Sequence, residues 1–132
     1  MTNSVETAAC WAKFIAKCPE FVAGEALLAQ FNAGKITRLC ECGCNSFNMV
    51  REEGRQAAPI APPSGRGHVV FLAEFPVEQP PGASLEFIVY ADAKGNFDGL
   101  DVHLNGNTEP IPEQLVVSEV PYHVYGILAR KG

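Results

Sequence analysis

Cys40, Cys42 and Cys44 alternate in the run Cys40-Glu41-Cys42-Gly43-Cys44, so an extended backbone would project three thiols to one side. Zinc takes four ligands in a tetrahedron, and alternate side chains on a straight strand stand roughly 6 to 7 Å apart, too wide to share one ion. Gly43 changes that expectation. A turn there lets Cys42 and Cys44 converge, after which Cys40, His68, His103 or His123 could complete a metal site. The paired C-x-x-C knuckles of the usual structural zinc site are missing.

The same thiols allow two other readings. Cys42-Gly43-Cys44 is a dithiol that could close into a strained, reducible disulfide, with Cys40 as a third participant. No helix start is expected at the motif to activate a thiol, and the Glu41 carboxylate opposes activation. Alternatively, the segment is a tight hairpin in which small thiols pack and Gly43 takes the bend. Cys10 and Cys18 lie in helical surroundings and read as small core residues.

Other candidates carry less chemistry. Each of the three histidines reads as an isolated side chain unless the fold brings them together. Asp92, Asp98 and Asp101 gather near one hairpin end, where carboxylates ordinarily bond the local backbone, and they lack a calcium-loop register. No phosphate-cradling glycine loop and no Ser/His/Asp arrangement is present. On this footing no catalytic residue is assigned.

The elements that position the cysteines follow from hydrophobic period. Asn3 and Glu6 resemble a capping box. Val5, Ala8, Trp11, Ala12, Ile15 and Cys18 then recur at helical spacing, and Cys18-Pro19 ends the run. A second helix, from Pro19, carries Phe21, Leu27, Leu28 and Phe31 and is expected to close at Gly34 in a left-handed cap. From Lys35 the period becomes two. Strands are expected over 35–41, 46–52, 68–77, 84–91 and 97–104, with 68–77 central and covered on both faces.

The Pro- and Gly-rich stretch 53–67 reads as a mobile loop or a contact surface. After Asn105 the pattern weakens: 113–118 fits a helical turn or a strand, and 122–128 an edge strand after Pro121. The expected fold class is α+β. An N-terminal helical pair packs on an antiparallel sheet of four to six strands in one domain over 1–132, with helices about 3–33, sheet about 35–104 and an irregular end.

Composition narrows the function classes. At 132 residues and 47% hydrophobic, the chain can bury a core without cystine or metal staples. A net charge of −5, with ten scattered Lys and Arg, argues against nucleic acid as a partner. The opening residues lack a basic signal-peptide start and no apolar run is long enough to span a bilayer, so a cytoplasmic protein with reduced thiols and no membrane partner is expected.

Thr37-Arg38-Leu39-Cys40-Glu41-Cys42-Gly43-Cys44-Asn45-Ser46, followed by Gly99-Leu100-Asp101-Val102-His103, resembles a small bacterial family of uncharacterised proteins. Its members carry a C-x-C-G-C-x-S segment and a later L-[ED]-V strand. The resemblance covers about 36–113, implies a bacterial source and transfers no site. Glu41 replaces an expected small residue, and the tail 121–132 is additional.

Two function classes follow. The first is a non-enzymatic interaction or regulatory module that binds a protein partner through the wet sheet face, the 56–67 loop or the C-terminal tail. The alternative is a zinc-binding or thiol-active domain working through Cys40, Cys42 and Cys44.

Overall fold

A computed structural model describes residues 1–52, 54 and 56–130; Glu53 and Arg55 of the expected loop, and Lys131 and Gly132 of the tail, lie outside the described residues. Two helices, α1 (Val5–Ala16) and α2 (Gly24–Ala33), precede five longer strands: β1 (Gly34–Leu39), β2 (Phe47–Arg51), β3 (His68–Gln79), β4 (Ala83–Ala91) and β5 (Phe97–Leu104). Two short strands follow, β6 (Val116–Val117) and β7 (His123–Tyr125). Every pairing is antiparallel, and the spatial order is β1-β2-β5-β4-β3-β6, with β7 also on β3. The α+β class is as expected. The described strands number seven because the C-terminal segment supplies two of them along the outer edge of β3.

Helix α1 covers one face of the sheet with an aromatic cluster. Phe14 stacks on Phe87 at 5.2 Å, Trp11 meets Phe87 edge-on at 5.5 Å, and Phe75 closes against both Phe14 and Phe87. Such pairs add about 0.5–1.5 kcal/mol each beyond the area they bury. Among the described residues no helix lies on the opposite face. There the alternating residues of the central strands, Glu74, Glu86, Ile88, Tyr90, Asp101 and His103, are only half-buried.

Three local expectations are corrected. Ser4, not Asn3, caps α1: its side chain accepts from the Thr7 N–H at 3.1 Å, which leaves Asn3 free for another task. Helix α2 starts at Gly24 rather than at Pro19, after a turn that packs Phe21 on Phe71. Gly34 is not a left-handed cap. Its φ is −103°, and it must be glycine because a Cβ would lie 2.6 Å from the Met49 methyl and 2.9 Å from two carbonyl oxygens.

A bulge at Val70 shifts the phase of β3, so Val69 faces solvent while Val70, Phe71, Ala73, Phe75 and Val77 are buried. Leu72 and Glu74 on the other side are only half-buried, so the strand is fully covered on one face. The loop expected to have little structure is anchored in its described part. Ile60 and Ala61 are buried and donate to the Gly95 carbonyl, and the buried Gln30 amide donates to the Ala57 and Ala58 carbonyls. Its carbonyl receives the Phe97 N–H at 2.9 Å, which satisfies both ends of a polar group inside the core.

Candidate metal centre

The β1–β2 connection carries the three cysteines, and the ladder continues into it. The Cys40 N–H donates to the Ser46 carbonyl at 3.0 Å, one step beyond the Leu39–Phe47 pair. On the other side, Phe47 pairs with Leu100, the Asn45 N–H reaches the Val102 carbonyl at 3.1 Å, and the Val102 N–H reaches Ser46 Oγ. These bonds lay the end of the loop alongside β5, and Cys44, Ser46, Asp101 and His103 come to line one pocket. Strand alternation then decides the faces. Phe47 and Asn45 turn toward the helices, whereas Cys40, Cys44 and Ser46 turn toward the uncovered face.

Between Cys40 and Cys44 the chain makes the turn that Gly43 foreshadows. Gly43 has φ +107°, and an added Cβ would sit 2.9 Å from Pro110 Cβ, so glycine is required twice over. The turn is held from three directions. Asn3 Nδ2 donates to the carbonyls of both Cys40 and Ser46, at 3.0 and 2.8 Å. The Ile111 N–H donates to the Gly43 carbonyl at 3.0 Å, and Trp11 Nε1 donates to Asn45 Oδ1 at 2.9 Å inside the core. The loop is thereby tied to α1, to the segment before it and to the 109–111 segment.

That frame gathers the sulfurs. Cys42 Sγ lies 2.9 Å from Cys40 Sγ and 3.1 Å from Cys44 Sγ, and all three are within 4.8 Å of one another. Two Zn–S bonds of about 2.3 Å at the tetrahedral angle put sulfurs about 3.8 Å apart, so Cys42 Sγ would draw back from each neighbouring sulfur by about 1 Å or less to accept an ion. Three soft sulfur donors form a set suited to zinc, and they are the one group of three or more ligand side chains gathered this way among the described residues.

Burial grades the three: Cys44 is buried, Cys40 half-buried and Cys42 exposed. Hydrogen bonding polarises them. The Cys40 thiol beside it, then the Cys44 backbone N–H and thiol, pull the Cys42 thiol down to about 7, and the reciprocal bond to Cys42 drives Cys40 up to about 11. This favours the Cys42 thiolate at lower pH than for an ordinary thiol. The apo protein should show one fast-alkylating thiol at Cys42, whose rate with iodoacetamide rises through pH 7 and levels above it. Peptide mapping at pH 6 and 8 checks this, and a fastest-reacting Cys40 would contradict it.

A small pocket of about 150 Å³ opens beside the sulfurs, walled by Arg38, Ser46, Asn48, Asp101, His103 and Asn107. At about 30 Å³ per water it has room for an ion and a few waters rather than an organic substrate. Of the three histidines proposed from sequence, only His103 is on this wall. His68 is at the start of β3, with Nδ1 3.1 Å from Ser64 Oγ, and His123 is exposed on β7. Asp92 bonds the backbone of its own turn, as expected of a turn carboxylate. Asp101 instead accepts the Tyr90 hydroxyl at 2.7 Å.

Cys18 is the buried structural thiol expected, pushed up to about 11 by burial and its bond to Glu20, whereas Cys10 is exposed on α1. Asn3 and Asn45 are the site residues that sequence reasoning did not single out. Asn45 had a signal in its place directly after Cys44; Asn3 had none, being 37 residues from its partner Cys40.

No protein-family model, curated protein or solved structure matches the chain.

Proposed function

We propose that the protein is a zinc-binding domain in which Cys40, Cys42 and Cys44 supply three thiolate ligands. The observation that carries this reading is the convergence of three sulfurs within 4.8 Å on a loop that Gly43, Asn3, Asn45 and Ile111 hold in one shape. A cluster serving only as core packing would be buried throughout. Here Cys42 is exposed and Cys40 half-exposed, so the thiols face the pocket that an ion would enter. Preorganisation favours binding because little chain entropy is lost when the ion arrives.

The expected behaviour is uptake of one divalent ion per chain. Titrating reduced protein with Co²⁺ should give sulfur-to-cobalt charge-transfer absorption that saturates at one equivalent and is displaced by Zn²⁺. Absence of that band under reducing conditions would remove the reading.

The interaction-module reading has one observation on its side. Val120, Tyr122, Tyr125 and Ile127 are 59–70% exposed along the C-terminal edge, across the sheet from the thiols. A contact surface there is compatible with a zinc site. Cys42→Ser separates the two roles, since a partner bound through that edge would be retained while the metal is lost.

A further inference from the structure

We propose that His103 is the fourth zinc ligand, making a closed Cys3His centre in which Glu86 is the positioning residue. This rests on reading the thiol trio as a zinc site. Placement is the first support. The Asn45–Val102 hydrogen bond brings the thiol loop alongside β5, Cys44 and His103 wall the same pocket, and Glu86 is paired with His103 from the β4 side.

The second support is the orientation of the ring. His103 Nδ1 stands 3.7 Å from Glu86 Oε1, which turns that nitrogen toward β4 and leaves Nε2 as the free ligand atom. A carboxylate behind one imidazole nitrogen and a metal on the other is the usual outer-shell arrangement of zinc histidines, because it fixes the tautomer and raises the basicity of the ligating nitrogen.

Alternatives within the same pocket are weaker. One oxygen of Asp101 is committed to the Tyr90 hydroxyl at 2.7 Å. Arg38 is cationic, and Asn48 and Asn107 are poor zinc donors. His103 lies outside the 4.8 Å that encloses the sulfurs, so ligation swings the ring across the pocket toward the held thiols. A centre with four protein ligands has no open coordination position. The ion would clamp the β1–β2 loop to β5 and would not activate water.

The test compares zinc affinity, by competition with a chromophoric chelator, in wild type, His103→Ala, His103→Cys, Glu86→Gln and His68→Ala. Cobalt-form absorption and the nitrogen chemical shifts of His103 are recorded alongside. Expected are a roughly 100-fold loss for His103→Ala, about 10-fold for Glu86→Gln, near-recovery for His103→Cys and no change for His68→Ala. Zinc should also shift Nε2 of His103 in the wild type. Zinc bound equally well by wild type and His103→Ala, with the same cobalt spectrum and an unmoved Nε2, would overturn the fourth-ligand assignment and leave the thiol site standing. No zinc uptake by the wild type would overturn both.

Discussion

Cys42→Ser should weaken zinc binding by about 100-fold or more, since losing a direct thiolate exceeds the 10- to 100-fold effect of losing an outer-shell partner. Cys42 is the middle sulfur, within about 3 Å of both others, and its thiol is pulled down to about 7, so it yields its proton to an ion more readily than an ordinary thiol. Its side chain is exposed, so the apo fold should change by no more than about 0.5 kcal/mol. The contrast appears on adding metal. At zinc 100-fold above the wild-type Kd, the wild type should gain about 2.7 kcal/mol of stability and the variant, with a Kd weakened 100-fold, about 0.4 kcal/mol. Urea unfolding with and without zinc checks both figures. Equal zinc stabilisation in the two proteins would mean that the ion, if bound, is held elsewhere.

Phe87→Ala should destabilise the protein by about 3–5 kcal/mol, the largest effect expected of any core truncation here. Phe87 is fully buried on β4, and three aromatic rings, Trp11, Phe14 and Phe75, meet it at 5.2–5.5 Å. Truncation leaves a cavity bounded by a strand that cannot move inward without breaking its ladders to β3 and β5. The consequence reaches the thiols. Trp11, which loses its partner, also holds Asn45 beside Cys44, so metal affinity should fall along with stability. A urea midpoint within 1 kcal/mol of wild type would show that α1 repacks and that the aromatic cluster does not anchor the site.

Much of the frame was legible because period-two alternation is a local signal. Leu100, Val102 and Leu104 against Asp101 and His103 marked a strand with one wet face, and that face is where the pocket lies. The turn at Gly43 could be anticipated from glycine among alternating thiols. Other features depend on distant contacts. Val70 and Leu72 suggested a second covered face on β3, but a bulge buries Val70 with the Phe71 side and Leu72 and Glu74 are only half-buried, which depends on what packs there and not on the strand's own residues. Asn3 fits a capping box by spacing, yet Ser4 takes the cap and Asn3 bonds the loop 37 residues on. Which histidine shares a pocket with the thiols was likewise a matter of tertiary placement: His68, His103 and His123 have similar local surroundings, and His103 is the one on the wall beside the cysteines. The short C-terminal strands depend on the edge of β3 for their hydrogen bonds, so their own sequence is a weak guide to them.

The most direct measurement is native mass spectrometry of protein purified under mild reduction without chelator, set against its denatured mass. Binding through the thiol trio predicts a native species heavier by one zinc ion, the mass returning to that of the bare chain on denaturation and the adduct missing from Cys42→Ser. A native mass equal to the denatured mass, with five reduced thiols and no uptake on adding zinc, would contradict it.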